Sequence, residues 1–321
     1  MPATIIKLAQ KNNVKMPFKN EAEFKALCNY SSFEQFVTLF KQIISCLKTP
    51  EDYETIAYEY GRECSKQNIL YSEVVFSLST NCKLSGIDWQ TLLQRINKGR
   101  ARAQREFGVT WNWIFDLTRT NLFGPEKFVD ILIQSRDTGQ GLVAMGLSET
   151  LVTYKVAEYQ HVFDKAISAK LPIIPHAGEF QGPVSVINSL KACQASRIHH
   201  GVRSIEDQTL VQELAKRQIP LDICVSSNVK LGVVANYKQH PIRRLWDAGL
   251  LITIGADDPS LFDSNVNQEY DHLIDDYKFT IDELERVSLN GLQAGLLPTQ
   301  EKELLIQKFK SEFIRLRKNI F

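Results

Sequence analysis

Residues 171–201 read LPIIPHAGEFQGPVSVINSLKACQASRIHHG, and this stretch decides the fold. It begins with a short apolar run that ends at His176, and it closes with a second run that ends at His199 and His200. Between the two runs, residues 183–194 carry apolar side chains at helical spacing. Two short apolar runs joined by a helix are typical of a βαβ unit whose strands are parallel and buried. The stretch therefore predicts a parallel sheet covered by helices.

The same alternation continues on both sides of this stretch. The predicted strands cover residues 69–76, 109–115, 142–146, 171–176, 197–200, 219–224 and 250–255. The predicted helices between and after the strands cover residues 88–107, 125–137, 154–169, 183–194, 207–217, 241–248, 265–277 and 281–295. We therefore expect an α/β fold. It is either a (β/α)8 TIM-type barrel whose first strand is missing from this chain, or a doubly wound open sheet that accepts seven strands.

The chain has 321 residues, and no Pro/Gly-rich linker, low-complexity stretch or internal repeat divides it. We expect a single domain over residues 1–321. Residues 1–68 are predicted to be a mostly helical insert, residues 69–298 to hold the seven βα units, and residues 299–321 to form a C-terminal helix. The first 68 residues contain no recognisable eighth strand.

The composition excludes several classes of protein. Lys and Arg number 38 against 37 Asp and Glu, and this balance argues against a basic nucleic-acid groove. The six cysteines have no close pair, which predicts reduced, buried thiols rather than a disulfide framework or a zinc ribbon. No apolar run approaches the roughly 18 residues that span a bilayer, and the opening residues lack the pattern of a secretion signal. We expect a cytoplasmic protein with no membrane or nucleic-acid partner.

Histidine and aspartate side chains lie at the ends of three of the predicted strands or directly after them. His176 ends one strand, His199 and His200 end the next, and Asp257 and Asp258 follow the last. In a barrel these strand ends converge on one mouth, whereas an open sheet would spread them along a line. The clustering therefore favours the barrel. Because adjacent residues of a strand point to opposite faces, at most one of the neighbouring histidines is expected to face the site.

The residue types at these strand ends suit a metal-assisted hydrolase. Imidazole and carboxylate groups are ligands of catalytic zinc, which lowers the pKa of bound water to about 7. Glu179 lies three residues after His176 and is placed to give or take a proton. Alone, a histidine at a strand end or the Asp257-Asp258 pair has an ordinary structural explanation. Their joint placement at three strand ends is what favours a catalytic site.

Four segments of the chain carry a family resemblance. They are HAGE (176–179), RIHHGVR (197–203), SSNVKLG (226–232) and DDPSLF (257–262). In series they resemble the adenosine deaminase family, the zinc-dependent purine aminohydrolases of the amidohydrolase superfamily. The resemblance implies a (β/α)8 barrel with one zinc ion. It also implies hydrolysis of a purine 6-amino group to a 6-oxo group with release of ammonia.

The resemblance assigns a role to five residues. It makes His176 and Asp257 zinc ligands. Glu179 would protonate the purine ring nitrogen next to the attacked carbon. His200 would orient and stabilise the attacking hydroxide, and Asp258 would hydrogen-bond the purine on its imidazole side.

One departure from the family pattern bears on the metal. The family opens with a strand that ends in His-x-His and supplies two zinc ligands, but no histidine of this sequence precedes His161. The missing strand and the missing ligands therefore belong to the same segment of the family's chain. Either the chain is a truncated or misassigned version of a longer protein, or its lineage lost the metal. With two ligands left we expect substoichiometric zinc, negligible deamination, and a gap in the barrel between the strands at 69–76 and 250–255.

The substrate is predicted from one of these segments. Segment 226–232 resembles members that act on nucleosides, which favours adenosine or a related nucleoside. Adenine, a modified adenine and aminodeoxyfutalosine remain alternatives, and His199 stands where relatives often have Gly or Asp. An alternative of another class is an inactive barrel that binds a purine or a protein partner. Other amidohydrolase chemistry, such as phosphotriester or amide hydrolysis, is disfavoured by the acid at Glu179.

Overall fold

Seven parallel strands form one sheet in which spatial order follows chain order. A computed structural model of the chain describes residues 1–30 and 32–320. The strands are β1 (Tyr71–Phe76), β2 (Thr110–Leu117), β3 (Leu142–Leu147), β4 (Ile173–Ala177), β5 (Ile198–His200), β6 (Leu221–Ile223) and β7 (Ile252–Ile254). Each strand overlaps one predicted apolar run, so the seven predicted strands are confirmed.

Helices precede, separate and follow the strands. They are α1 (Pro2–Lys11), α2 (Glu21–Leu27), α3 (Phe33–Ser45), α4 (Pro50–Lys66), α5 (Leu78–Ser85), α6 (Trp89–Phe107), α7 (Pro125–Asp137), α8 (Glu149–Tyr154), α9 (Val156–Ser168), α10 (Pro183–Ala192), α11 (Gln208–Arg217), α12 (Val225–Lys230), α13 (Ile242–Asp247), α14 (Val266–Asp275), α15 (Ile281–Ala294) and α16 (Thr299–Ile320). Short 3-10 helices cover Val202–Glu206 and Tyr237–Gln239. The predicted helices are all present. The end of the predicted C-terminal helix, residue 321, lies outside the described residues.

A contact between distant strands shows that the sheet curls into a barrel. Glu73 of β1 and Arg197 at the start of β5 form an ion pair with 2.6 Å between Oε2 and Nη2. Four strand spacings separate β1 from β5, and in a flat sheet they would amount to about 19 Å. The two side chains can meet only if the sheet closes around a common interior. This curvature rules out the flat, doubly wound alternative and confirms the barrel.

The barrel is open on one side. Strands β1 and β7 are the two ends of the sheet, and within the described residues no strand pairing joins them. The side chains of β1 are only partly buried, as expected of an edge strand, whereas most of β2 is fully buried. On the β7 side, Asn290 of α15 donates its amide N–H to the carbonyl oxygen of Ile252 at 3.0 Å. The predicted gap between these two strands is therefore present.

Helix α4 lies against β1 and β2, because the hydroxyl of Tyr60 is 2.9 Å from Oγ of Ser72 and its ring centroid is 5.1 Å from that of Trp111. Helix α4 packs against α6, and a glycine lets the two helices approach closely. A Cβ atom added to Gly99 of α6 would lie 2.3 Å from the carbonyl oxygen of Glu54 in α4. Any larger residue at position 99 would separate the helices. The predicted division into insert, βα units and terminal helix stays a prediction.

Two composition-based predictions bear on the whole chain. The six cysteines are all buried and free, as the prediction of reduced thiols requires. In the part of the chain that the structure describes, every helix is too short or too polar to cross a bilayer. The cytoplasmic location stays a prediction.

Candidate active site

The predicted site residues lie together at the carboxyl ends of the strands. His176 is the fourth residue of β4, and Glu179 follows in the loop after that strand. His200 ends β5. Asp257 and Asp258 follow β7. Three separate segments of chain thus reach one mouth of the barrel, as the fold predicts.

His176 presents one ring nitrogen to the site. Its Nδ1 lies 3.1 Å from the carbonyl oxygen of Leu147, at the end of β3. A carbonyl oxygen only accepts, so Nδ1 carries the hydrogen and Nε2 keeps a free lone pair. A backbone carbonyl that fixes the ring in this way is a common companion of a metal-ligating histidine. The orientation of His176 therefore fits the ligand role that the resemblance implies, and the role itself stays a prediction.

Glu179 is a buried carboxyl group without a full set of partners. Its side chain is 8% exposed, and its Oε1 has no hydrogen-bond partner. Burial, reinforced by the nearby charges of Asp257 and Glu149, raises the pKa of Glu179 well above its usual range. The raised pKa favours the protonated, neutral form of this carboxyl group. A neutral carboxyl with an unpaired oxygen is the form that a general acid requires.

The loop that carries Glu179 is held by a second carboxylate. Glu149, the first residue of α8, is buried, and its Oε1 accepts the backbone N–H of Glu179 at 2.9 Å. Its Oε2 accepts the backbone N–H of Phe180 at 2.8 Å. Two backbone amides on one carboxylate fix the loop as a rigid turn. The sequence analysis assigned no role to Glu149.

Both neighbouring histidines of β5 face the barrel interior, so the prediction that at most one does is wrong. The ring centroid of His176 lies 4.9 Å from that of His199 and 5.5 Å from that of His200. The reason is the backbone of His200, whose φ of 66° is left-handed rather than extended. Strict alternation holds only while the chain stays pleated. A left-handed histidine is strained, and such strain is commonly found at functional sites.

His199 belongs to a buried polar network below the site. Its Nδ1 lies 2.9 Å from Oδ2 of Asp222, and the same carboxylate lies 2.9 Å from Nε of Arg197. Thr253 donates its hydroxyl to Oδ1 of Asp222 at 2.6 Å. Although burial opposes ionisation, Arg197 and then His199 lower the pKa of Asp222 to about 2. The network links β5, β6 and β7 by charge-assisted hydrogen bonds.

The two aspartates after β7 have different surroundings. Asp257 is exposed and has a left-handed φ of 55°, and its Oδ2 accepts the hydroxyl of Ser227 at 2.6 Å. Asp258 is more enclosed. Burial, with the neighbouring Asp257 adding to it, raises the pKa of Asp258 to about 8. Asp258 is therefore largely protonated at neutral pH and can donate a hydrogen bond to a ring nitrogen.

The mouth also holds donors of the kind that bind metals. One ligand atom each from His200, Cys224 and Asp257 lie within 4.8 Å of one another, and no other such group occurs in residues 1–30 and 32–320. Nitrogen, sulfur and carboxylate oxygen are the ligand types of zinc. His176 is outside this group, and its ring centroid lies 5.5 Å from that of His200. The residues present therefore fit a zinc ion in chemistry.

The sequence analysis assigned no role to several residues of the site. Cys224, Asn228 and His240 are buried, and Asp222 is mostly buried. Asp222 and Asn228 contact His199 and His200, which lie 23 and 28 positions away along the chain. One signal was available for Asp222, because a charged residue interrupts the otherwise apolar run 219–224. Such a residue in a buried strand needs a partner of opposite charge.

Comparisons with known proteins agree with the fold and the family resemblance. A family model described as adenosine deaminase matches residues 1–312. The aminodeoxyfutalosine deaminase of Streptomyces avermitilis is 33% identical over 250 residues, covering 77% of this chain and 70% of that protein. The adenine deaminase of Wolinella succinogenes is 30% identical over 301 residues, covering 94% of this chain and 90% of that protein.

Solved structures share the fold. The adenine deaminase of Arthrobacter aurescens superposes with a TM-score of 0.89 at 22% identity, over 98% of this chain and 95% of that chain. An amidohydrolase from Burkholderia ambifaria with bound zinc superposes with a TM-score of 0.85 at 22% identity, over 99% of this chain and 88% of that chain. At this level of identity the likeness establishes the architecture alone, a TIM-type barrel.

Proposed function

The chain belongs to the adenosine deaminase family, and from that premise we propose that it catalyses the zinc-dependent hydrolytic deamination of a purine 6-amino group. In this reaction water adds to the ring carbon that bears the amino group. Ammonia then leaves, and a 6-oxo group remains. Relatives whose names state deamination of adenine or aminodeoxyfutalosine support this reaction class.

The observation that carries the proposal is the state of Glu179. Attack on an amidine carbon needs a proton on the adjacent ring nitrogen, and a carboxylic acid supplies it only if it is protonated at neutral pH. Glu179 is buried, its pKa is raised well above the usual range by that burial, and its Oε1 has no protein partner. A purine nitrogen would provide the missing partner.

The other residues of the mouth orient the reactants. His200 lies with its Nε2 3.7 Å from Oε2 of Glu179, so both groups face the same small volume. We assign to His200 the orientation of the attacking water. Asp258, protonated because its pKa is raised to about 8, would donate to the imidazole side of the purine.

His176 and Asp257 would hold the zinc ion through Nε2 and a carboxylate oxygen. When bound, zinc supplies activation of water at neutral pH. Catalytic zinc normally has three or more protein ligands. The gap between β1 and β7 is the place where an eighth strand would pair, and two further imidazoles at its end would complete the set.

We propose a nucleoside of the adenosine type as the substrate, with adenine and aminodeoxyfutalosine as the alternatives. All three carry the same 6-amino group on the same ring, so Glu179 and Asp258 can serve each of them. They differ in the substituent on N9. Segment 226–232 supports the nucleoside, and the names of the relatives support the two alternatives.

A second candidate function is a barrel that binds a purine without turning it over. The observation that favours it is the open edge between β1 and β7, which leaves two predicted zinc ligands in the described residues. Metal analysis of the chain preceded by a strand that ends in His-x-His separates the two candidates. One zinc per chain supports the enzyme, whereas purine binding without zinc supports the binding protein.

The test uses the 321-residue chain and a version preceded by a strand that ends in His-x-His. Both are supplied with zinc, and ammonia release is measured with adenosine, adenine and aminodeoxyfutalosine in parallel. We expect turnover of one of the three by the extended protein only. Failure of the zinc-loaded extended protein to release ammonia from any of them would overturn the proposed function.

A further inference from the structure

A line of three buried polar side chains leads from helix α13 to the site. Ile242, the first residue of α13, donates its backbone N–H to Nδ1 of His240 at 3.2 Å. Nε2 of His240 lies 3.2 Å from Oδ1 of Asn228, and Nδ2 of Asn228 lies 3.3 Å from Nδ1 of His200. All three side chains are more than nine-tenths buried. Two of them, Asn228 and His240, have no role in the proposed reaction.

The chemistry of the donors gives this line a direction. A backbone N–H only donates, so Nδ1 of His240 must accept and the hydrogen of a neutral ring lies on Nε2. Burial lowers the pKa of His240 to about 3, so the ring is neutral. Its Nε2–H then donates to Oδ1 of Asn228. The amide of Asn228 is thereby fixed, and its NH2 group faces His200.

We propose that His240 and Asn228 are positioning residues that hold His200 in the tautomer with its hydrogen on Nε2. The amide N–H of Asn228 donates to Nδ1 of His200, which therefore carries no hydrogen in the neutral ring. The only remaining place for the hydrogen is Nε2, which faces Glu179 across 3.7 Å. The inference rests on the proposed function for its meaning, because it specifies how His200 orients a reactant.

His176 and His200 hold opposite tautomers. His176 donates from Nδ1 to Leu147 and offers a lone pair at Nε2, as a metal ligand does. His200 accepts at Nδ1 and offers a hydrogen at Nε2, as a group that orients an oxygen does. His200 is therefore a hydrogen-bond donor to the reactants and not a zinc ligand through Nε2, although its ring lies beside Cys224 and Asp257.

The test reads the tautomer directly. The 321-residue protein is labelled with ¹⁵N-histidine, and two-bond ¹H–¹⁵N correlation spectra distinguish a ring with hydrogen on Nε2 from one with hydrogen on Nδ1. His200→Gln identifies the signals of His200 by their disappearance. We expect the hydrogen of His200 to lie on Nε2, and we expect the spectra to show the signals of that tautomer only. A His200 protonated on Nδ1, or an even mixture, would overturn the proposal.

A single substitution should invert the tautomer. In Asn228→Asp both side-chain oxygens accept hydrogen bonds when the carboxylate is ionised. In spectra recorded at such a pH, the hydrogen of His200 should therefore lie on Nδ1. The control is Asn236→Asp, an equal change of charge at the exposed cap of the 3-10 helix Tyr237–Gln239. Asn236 is not one of the three side chains in the line. It should leave the His200 signals unchanged. Retention of the Nε2 hydrogen in Asn228→Asp would show that Asn228 does not set the tautomer.

The role of His240 has its own variant, which also serves if Asn228→Asp does not fold. His240→Leu removes the group that fixes the amide of Asn228, so both amide orientations become available. We expect the His200 signals to change from one tautomer to a mixture. An unchanged single tautomer would overturn the part of the proposal that concerns His240. None of these spectra needs zinc or substrate. A failure of the tautomer proposal is therefore distinguishable from a failure of the deaminase proposal.

Discussion

Glu149→Gln is expected to destabilise the protein by about 3 kcal/mol, although it changes only an oxygen to an NH2 group. The carboxylate of Glu149 is buried and accepts the backbone N–H groups of Glu179 and Phe180, one on each oxygen. A glutamine has a single oxygen and can accept only one of the two. Its NH2 group would face the other amide as donor against donor.

The magnitude follows from these two hydrogen bonds. A buried donor that loses its partner costs roughly 1–3 kcal/mol. The remaining bond changes from a charged to a neutral acceptor, which weakens it by about 1 kcal/mol. The sum is about 3 kcal/mol. Because the loop also carries Glu179, the same variant should loosen the placement of the proposed acid.

The assay is equilibrium urea unfolding of the wild type and the variant at pH 7, with the dependence on denaturant compared between them. Glu126→Gln is the matched control, because Glu126 forms an exposed ion pair with His161, in which both side chains are more than half exposed. Such pairs contribute about 0–1 kcal/mol. Free energies of unfolding that are equal in the two variants would refute the account of the loop.

Three further predictions concern Arg197, the acid dependence of stability and the zinc content. Arg197→Met should destabilise the protein by about 3–5 kcal/mol in urea unfolding, because it leaves Glu73 and Asp222 buried without their cation; a loss below 1 kcal/mol would contradict this. The pKa of Asp222 is lowered to about 2, so its stabilising effect of roughly 2 kcal/mol is complete above pH 4 and is lost as pH falls toward 2. This decline should be smaller in Arg197→Met, and equal declines would show that Arg197 does not set the pKa. Elemental analysis should find less than one zinc ion in the 321-residue chain. A preceding strand that ends in His-x-His should raise the zinc content to one ion. Full zinc occupancy without that strand would contradict the ligand assignment.

The strands could be predicted from the sequence because each is an apolar run between helical patterns. Their lengths could not, since β5, β6 and β7 have three residues each, against four to six predicted. Helices α5, α8 and α12 were missed for a related reason. They have six to eight residues and begin directly after strand ends, so they show too few turns for a helical period to stand out.

The site residues at strand ends could be predicted because a parallel barrel gathers those ends at one mouth. Two features could not. The left-handed backbone of His200 broke the alternation that the prediction assumed. The hydrogen bonds of Glu149 to the loop after β4 and of Asn228 to His200 join residues about 30 positions apart, and no local pattern reports such contacts.

The most direct test of the proposed function is ammonia release by the zinc-loaded extended protein with Glu179 intact and with Glu179→Gln. A carboxamide cannot protonate the ring nitrogen, so the rate should fall about 10²- to 10⁴-fold. Zinc content should stay the same, because Glu179 is assigned as an acid and not as a ligand. Deamination by Glu179→Gln at the wild-type rate, or robust chelator-sensitive deamination by residues 1–321 alone, would contradict the account.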